Sequence, residues 1–213
     1  MSRMESATRT KLEQDLLGLL DSGNNSDLVI HCQGEDIKVH RIILSARSPV
    51  FSAMLESGML EEQKGRVKIE DAEVVILKEL LRYLYTGKIG PDFREYKELM
   101  ILANKYDVED LMDDAGSKIL ETLTEENALE LGIFGETHNS NVLLNASAKI
   151  IQENPSVETL PDGWDQQLEG CPRLMVAIIG ALKKKGREDK EFARFPVGPE
   201  KVIIIIFIYF QFY

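Results

Sequence analysis

Strand-like patterning occupies a small part of this chain, and that restriction decides most of what it can fold into. Asp27-Leu-Val-Ile-His-Cys32 reads as a strand, Gln33-Gly34-Glu35 as a turn, and Asp36-Ile37-Lys38-Val39-His40 alternates polar and apolar residues as a half-buried strand does. Val67-Lys68-Ile69 is too short to stand alone and is expected to add a strand to the hairpin's sheet. The rest of the ordered pattern has helical spacing. The expected fold class is therefore α+β, a small β-sheet flanked by helices.

Helix signals surround the hairpin. Thr10-Lys-Leu-Glu13 has the form of a capping box and Gly23 stands where a helix would stop. Between them Leu12, Leu16, Leu19 and Leu20 make one apolar stripe. A short helix over 41–46 gives way to Ser48-Pro49, a favourable helix start because proline at the first position loses no needed hydrogen bond. The next helix carries Val50, Phe51, Met54 and Leu55 towards Gly58. Asp71 is the expected cap of a helix bearing Val74, Leu77, Leu80, Leu81 and Leu84, stopped by Thr86-Gly87. Gly87 is read as a structural stop with φ > 0. Two further helices are predicted near 93–105 and 108–122, with Asp107 capping the second. Residues 124–183 are again helical, broken at Pro155, Pro161 and Pro172, and read as a second, smaller helical module.

Charge and chemistry narrow the function. The formal net charge is −11, which argues against a nucleic-acid surface, since phosphate binding needs a basic patch. Residues 95–130 account for −8 of it, read as a solvated helix face with a docking face for a basic partner as the alternative. Two cysteines, Cys32 and Cys171, make neither a disulfide framework nor a cysteine-based zinc site, and suit a reducing compartment. Phosphate-loop, dinucleotide, zinc-protease and nucleophile-elbow motifs are all missing. His31 and His40 lie on adjacent predicted strands and could approach each other, but two imidazoles without a third ligand make a poor metal site. No metal, cofactor or catalytic residue is expected, and the chain reads as a binding module rather than an enzyme.

Two segments stand apart. Residues 1–15 mix Arg3, Arg9 and Lys11 with Glu5, Glu13 and Asp15 and show no secretory signal. Val202–Phe210 is nine apolar residues long, about half of the ~20 a membrane-spanning helix needs, and is read as an appended segment foreign to the fold, a tail anchor being the alternative. No membrane association is expected. Lys183-Lys-Lys-Gly-Arg187 is either a nuclear localisation signal or a charged helix end, which leaves nucleus and cytoplasm as the expected addresses.

The order of helix, hairpin, Asp36-x-x-x-His40-Arg-x-x-Leu44-x-x-Arg47-Ser48-x-x-Phe51 and then Leu81-Arg-Tyr-Leu-Tyr85-Thr86-Gly87 resembles a BTB/POZ domain. Within that superfamily, Ala46-Arg-Ser-Pro-Val-Phe-Ser-Ala-Met54 is similar to the speckle-type POZ proteins, whose members are substrate adaptors of cullin-3 ubiquitin ligases. Leu123-Thr-Glu-Glu-Asn-Ala128 and the helices after it look like the start of a BACK region. The resemblance implies an N-terminal tail over 1–9, a BTB/POZ domain over 10–123, a short all-α BACK-like or 3-box region over 124–185 and a C-terminal tail over 186–213. Relatives usually carry a MATH domain ahead of the BTB, which has no counterpart before residue 10, and often an aromatic where Ile179 stands.

The resemblance also implies two partners. Leu12, Leu16 and Leu19, with a residue like Ile43, would pack across a two-fold axis onto a second copy, the alternative being that the stripe folds back on its own core. Met59-Leu60-Glu61 is similar to the apolar-x-Glu element that grips cullin-3, with Phe51 and Tyr106 helping to line the same groove. Asp27 and His40 are read as structural, Asp27 accepting hydrogen bonds from backbone amides or from His40. The expected role is a homodimeric, non-catalytic adaptor that brings substrate proteins to a cullin-3 ligase. Its rivals are a BTB interaction scaffold and a dominant-negative short form that pairs with other BTB proteins without binding cullin.

Overall fold

In a computed structural model, described here over residues 2–56, 65–153, 168, 170–176 and 178, the chain forms two compact units, 1–116 and 117–213. The first holds α1 (Ser2–Ser22), β1 (Leu28–Cys32), β2 (Glu35–Val39), α2 (Arg41–Arg47), α3 (Pro49–Glu56), β3 (Arg66–Ile69), α4 (Val74–Thr86) and α5 (Tyr96–Lys105). Helix α6 (Glu109–Leu120) crosses the boundary, and α7 (Ala128–Thr137) and α8 (Asn141–Glu153) belong to the second unit. The fold is α+β, as expected.

The hairpin closes through Gln33 and Gly34, both with positive φ (48° and 86°), the two-residue turn whose twist matches paired strands. β1 sits in the middle of the sheet, antiparallel to β2 and parallel to β3. A parallel neighbour needs a crossover, and α2 and α3 supply it. Leu28, Ile30 and Cys32 on β1 and Val67 and Ile69 on β3 turn into a core shared with Leu44, Phe51, Leu77, Leu80 and Leu81.

Several helix ends differ from the sequence expectation. α1 runs through Thr10 from Ser2, because residues 2–9 hold no proline or glycine to stop it, so the capping-box residues lie inside the helix. Asp71 does not cap α4: it pairs with Lys105, while Gln33 Oε1 accepts the Val74 N–H at 3.3 Å. Asp107 is a left-handed turn residue (φ 54°). Ser48 behaves as expected. Its hydroxyl accepts the Phe51 N–H at 3.1 Å and donates to the Tyr106 carbonyl at 2.6 Å, joining the start of α3 to the end of α5.

In the second unit α7 and α8 pack around Leu129, Leu144, Ala148 and Ile151, with Leu168, Cys171, Leu174 and Ile178 in the same cluster. Pro172 opens a helical stretch over 172–176 instead of breaking one, consistent with proline's tolerance at a first position. Glu136 Oε1 and Oε2 accept the Arg173 and Leu174 N–H groups at 2.8 and 2.7 Å, a cap supplied from a different helix. Pro155, Pro161, Ile179, Lys183–Arg187 and the apolar run 202–210 lie outside the described residues.

Burial of three phenols gives this fold an alkaline limit. Tyr83, Tyr85 and Tyr106 are buried, and desolvation pushes each pKa up, Tyr106 to about 12. At Tyr83 the hydrogen bond donated to Asp114 Oδ2 at 2.8 Å adds to the effect. Below the unfolded tyrosine pKa of about 10 all three are neutral in both states and their stabilisation is complete; above it the unfolded chain ionises first, so stability falls as pH rises towards the folded values. In a pH titration followed by phenolate absorbance and circular dichroism, these three of the chain's six tyrosines should ionise together with unfolding. Normal titration of all six with helicity intact would contradict it.

Candidate interaction surface

The residues around the hairpin base are fastened by hydrogen bonds rather than arranged for chemistry. His40 donates its backbone N–H to Tyr85 Oη at 2.8 Å, and its ring Nδ1 lies 2.8 Å from the same oxygen. Its Nε2 lies 2.8 Å from the Asn24 carbonyl. A neutral ring with its proton on Nε2 serves all three bonds, since the tyrosine hydroxyl then accepts from the amide and donates to Nδ1. Asp27 Oδ1 accepts the Arg41 N–H at 2.8 Å, so it ties the first turn of α2 to the start of β1 and does not meet His40. Gly87 has φ 68° at the end of α4, the left-handed stop expected of it.

The histidines do not converge. His31 lies 2.6 Å from Asp36 Oδ1, which also accepts from Arg66 at 2.6 Å, and this group sits apart from the His40 bonds. Among the described residues no three His, Cys, Asp or Glu side chains gather as a metal would require. Both thiols are buried and pushed up in pKa chiefly by desolvation; Cys32 donates to the Ala72 carbonyl at 3.2 Å.

Among the described residues four large apolar side chains are exposed, Leu12, Ile42, Val75 and Ile101. α1 packs against α4, and a helix turning 100° per residue divides its apolar side chains between two adjacent faces. Leu17 and Leu20 look into a cleft of about 610 Å³ lined by Ile37, Val75, Leu81 and Phe93. Leu12, Leu16 and Leu19 lie on the neighbouring face, with Leu12 59% exposed and Leu16 and Leu19 half-buried. Among the described residues Ile42 is the most exposed large apolar side chain, at 77%. Its neighbour Ile43, expected at the interface, is half-buried. Ile42 stands two residues before the buried Leu44, about 200° round α2 and so on the opposite side.

Phe51 and Tyr106, expected to line a groove, do not do so here. They are 0% and 2% exposed and stack on each other with ring centroids 4.4 Å apart, a core pair that shapes the surface only from beneath. Met59, Leu60 and Glu61 lie outside the described residues.

The BTB/POZ domain family model matches residues 16–123. The chain is similar to TD and POZ domain-containing protein 4 of Mus musculus, 31% identical over 84% of this chain and 49% of the relative. It is also similar to BTB/POZ domain-containing protein At4g08455 of Arabidopsis thaliana, 33% identical over 70% of this chain and 61% of the relative. It thus spans less than two thirds of either. Among solved structures, the BTB domain of zebrafish PATZ1 is similar at 18% identity and a TM-score of 0.46, over 55% of this chain and 95% of that one.

Proposed function

This chain belongs to the BTB/POZ domain family, and on that premise we propose that it is a homodimeric, non-catalytic adaptor of a cullin-3 ubiquitin ligase, bringing substrate proteins to it for ubiquitin transfer. Protein interaction is the role the family match supports. The observation that carries the homodimer is the outward apolar face of α1 together with Ile42, two exposed apolar side chains, Leu12 and Ile42, on elements that the fold holds in place. Exposed apolar groups at a stable homodimer interface are covered by the second copy, where burial is favourable by ~25 cal/mol per Å². The cullin link is supported by the resemblance of residues 46–54 to the speckle-type POZ proteins and of Met59-Leu60-Glu61 to their cullin-gripping element. In that element the methionine is an adaptable apolar plug and Glu61 a carboxylate for the polar rim.

Capture of the purified cullin-3 N-terminal region tests this reading. The parent chain should retain it, and a Met59→Ala/Glu61→Ala variant should lose at least tenfold in affinity while keeping the parent's circular dichroism. A parent that fails to capture it moves the reading to a scaffold that pairs with BTB proteins without a cullin.

A further inference from the structure

We propose that Lys88 is a positioning residue for the dimer face: the Thr86-Gly87-Lys88 turn clasps α1 through Glu13 and so decides which side of that helix looks outward. The inference rests on the dimer reading above. Two faces of α1 compete for α4. One is Leu12, Leu16 and Leu19; the other, one residue further round, is Glu13, Leu17 and Leu20. Both offer a pair of leucines at the same spacing, and burial of Leu12 in place of Glu13 would by itself favour the other roll, so polar contacts and the seating of the helix end have to oppose it. They differ at a single position, where one has Leu12 and the other Glu13. A roll of about 100° would exchange them.

Lys88 reads that difference. Its Nζ donates to Glu13 Oε2 at 2.6 Å across 75 residues of sequence, and the Glu13 side chain is 24% exposed. The lysine's own backbone is held for the purpose. The left-handed Gly87 donates its N–H to the Tyr83 carbonyl at 2.7 Å, and the Thr86 hydroxyl accepts the Lys88 N–H at 3.2 Å while donating to the Arg82 carbonyl at 2.8 Å. Just past its far end, Gly23 (φ 63°) donates its N–H to the Leu19 carbonyl at 3.0 Å and sits beside Lys38 with no room for a side chain, since an added Cβ would stand 2.8 Å from Lys38 Cδ. With its end seated and Glu13 clasped, α1 leaves Leu12 in solvent. The alternative roll would turn Glu13 away from its cation and part it from Lys88, whose side chain is already 62% exposed.

Charge exchange tests the clasp on the full chain. Lys88→Glu and Glu13→Lys are each expected to weaken self-association about three- to fivefold, the scale of an exposed ion pair, and the Glu13→Lys/Lys88→Glu double variant to recover it. The single variants shift net charge in opposite directions, so a general charge effect cannot weaken both. Amide exchange over 12–22 should quicken in each single variant and slow again in the double. A dimeric parent whose single variants associate and exchange as it does would overturn the proposal. A monomeric parent would instead defeat the dimer reading, with the exchange data still deciding the clasp.

Discussion

A Leu12→Asp/Ile42→Asp variant is expected to sediment as a monomer at micromolar concentration, where the parent is a dimer, and to keep the parent's circular dichroism. The two outcomes come from the same exposures. Leu12 and Ile42 are 59% and 77% exposed in the single chain, so exchanging them for aspartate removes little that holds the protomer together; such surface changes usually stay within about 0.5 kcal/mol. Across a two-fold axis each substitution counts twice. Four large apolar side chains at ~1.5–3 kcal/mol each amount to something on the order of 6 kcal/mol or more of association energy, more than four decades in dissociation constant. Leu16→Asp is a less discriminating variant, because a half-buried Leu16 also supports its own chain. Sedimentation equilibrium checks the first outcome and circular dichroism at room temperature the second. A double variant that still dimerises would place the interface elsewhere, whereas one that loses its helicity at room temperature would show that these side chains serve their own protomer.

The parts of this molecule that were legible in its sequence are those decided by near neighbours. The Gln33-Gly34 turn, the Ser48-Pro49 helix start and the Gly87 stop each depend on residues within four positions, and each stands where local pattern placed it. The leucines of α1 were legible for the same reason. What local pattern could not supply was partner identity at long range. Asp27 reaches the Arg41 amide, Glu136 reaches the amides of Arg173 and Leu174, and the parallel pairing of β3 with β1 spans two helices. Phe51 and Tyr106 show the cost at the site itself. Each is an aromatic at a plausible groove position, yet their mutual stacking at 4.4 Å takes both into the core. Ile42 and Ile43 show the converse: choosing between adjacent isoleucines requires the azimuth of α2, which the burial of Leu44 settles.

In the second unit, Gly135→Ala is expected to cost about 2 kcal/mol even though alanine is the better helix former by about 1 kcal/mol. α7 and α8 meet closely at this glycine. A Cβ there would lie 2.8 Å from both Leu143 Cβ and Leu144 N and 3.2 Å from the Ser140 carbonyl. Two of these three atoms are backbone, in a turn already closed by the Ser140 N–H donating to the Gly135 carbonyl at 2.7 Å and by Asn139 at φ 59°. The helices must therefore separate or the turn must open. Gly132→Ala should be milder, since its two nearest neighbours, at 2.8 and 3.0 Å, are the terminal methyls of Leu174, which can change rotamer, and only the Ser147 Cβ at 3.1 Å must give by a few tenths of an ångström. Gly18→Ala should stabilise α1 by up to about 1 kcal/mol, because nothing lies within 4 Å of the added methyl and only the helix preference remains. Hydrogen exchange resolved by segment separates the three. Gly135→Ala should release protection over 128–153 and lower that unit's unfolding temperature by roughly 10 °C, leaving 28–86 protected. Protection at the parent's level in Gly135→Ala would mean that α7 and α8 stand further apart than this packing requires.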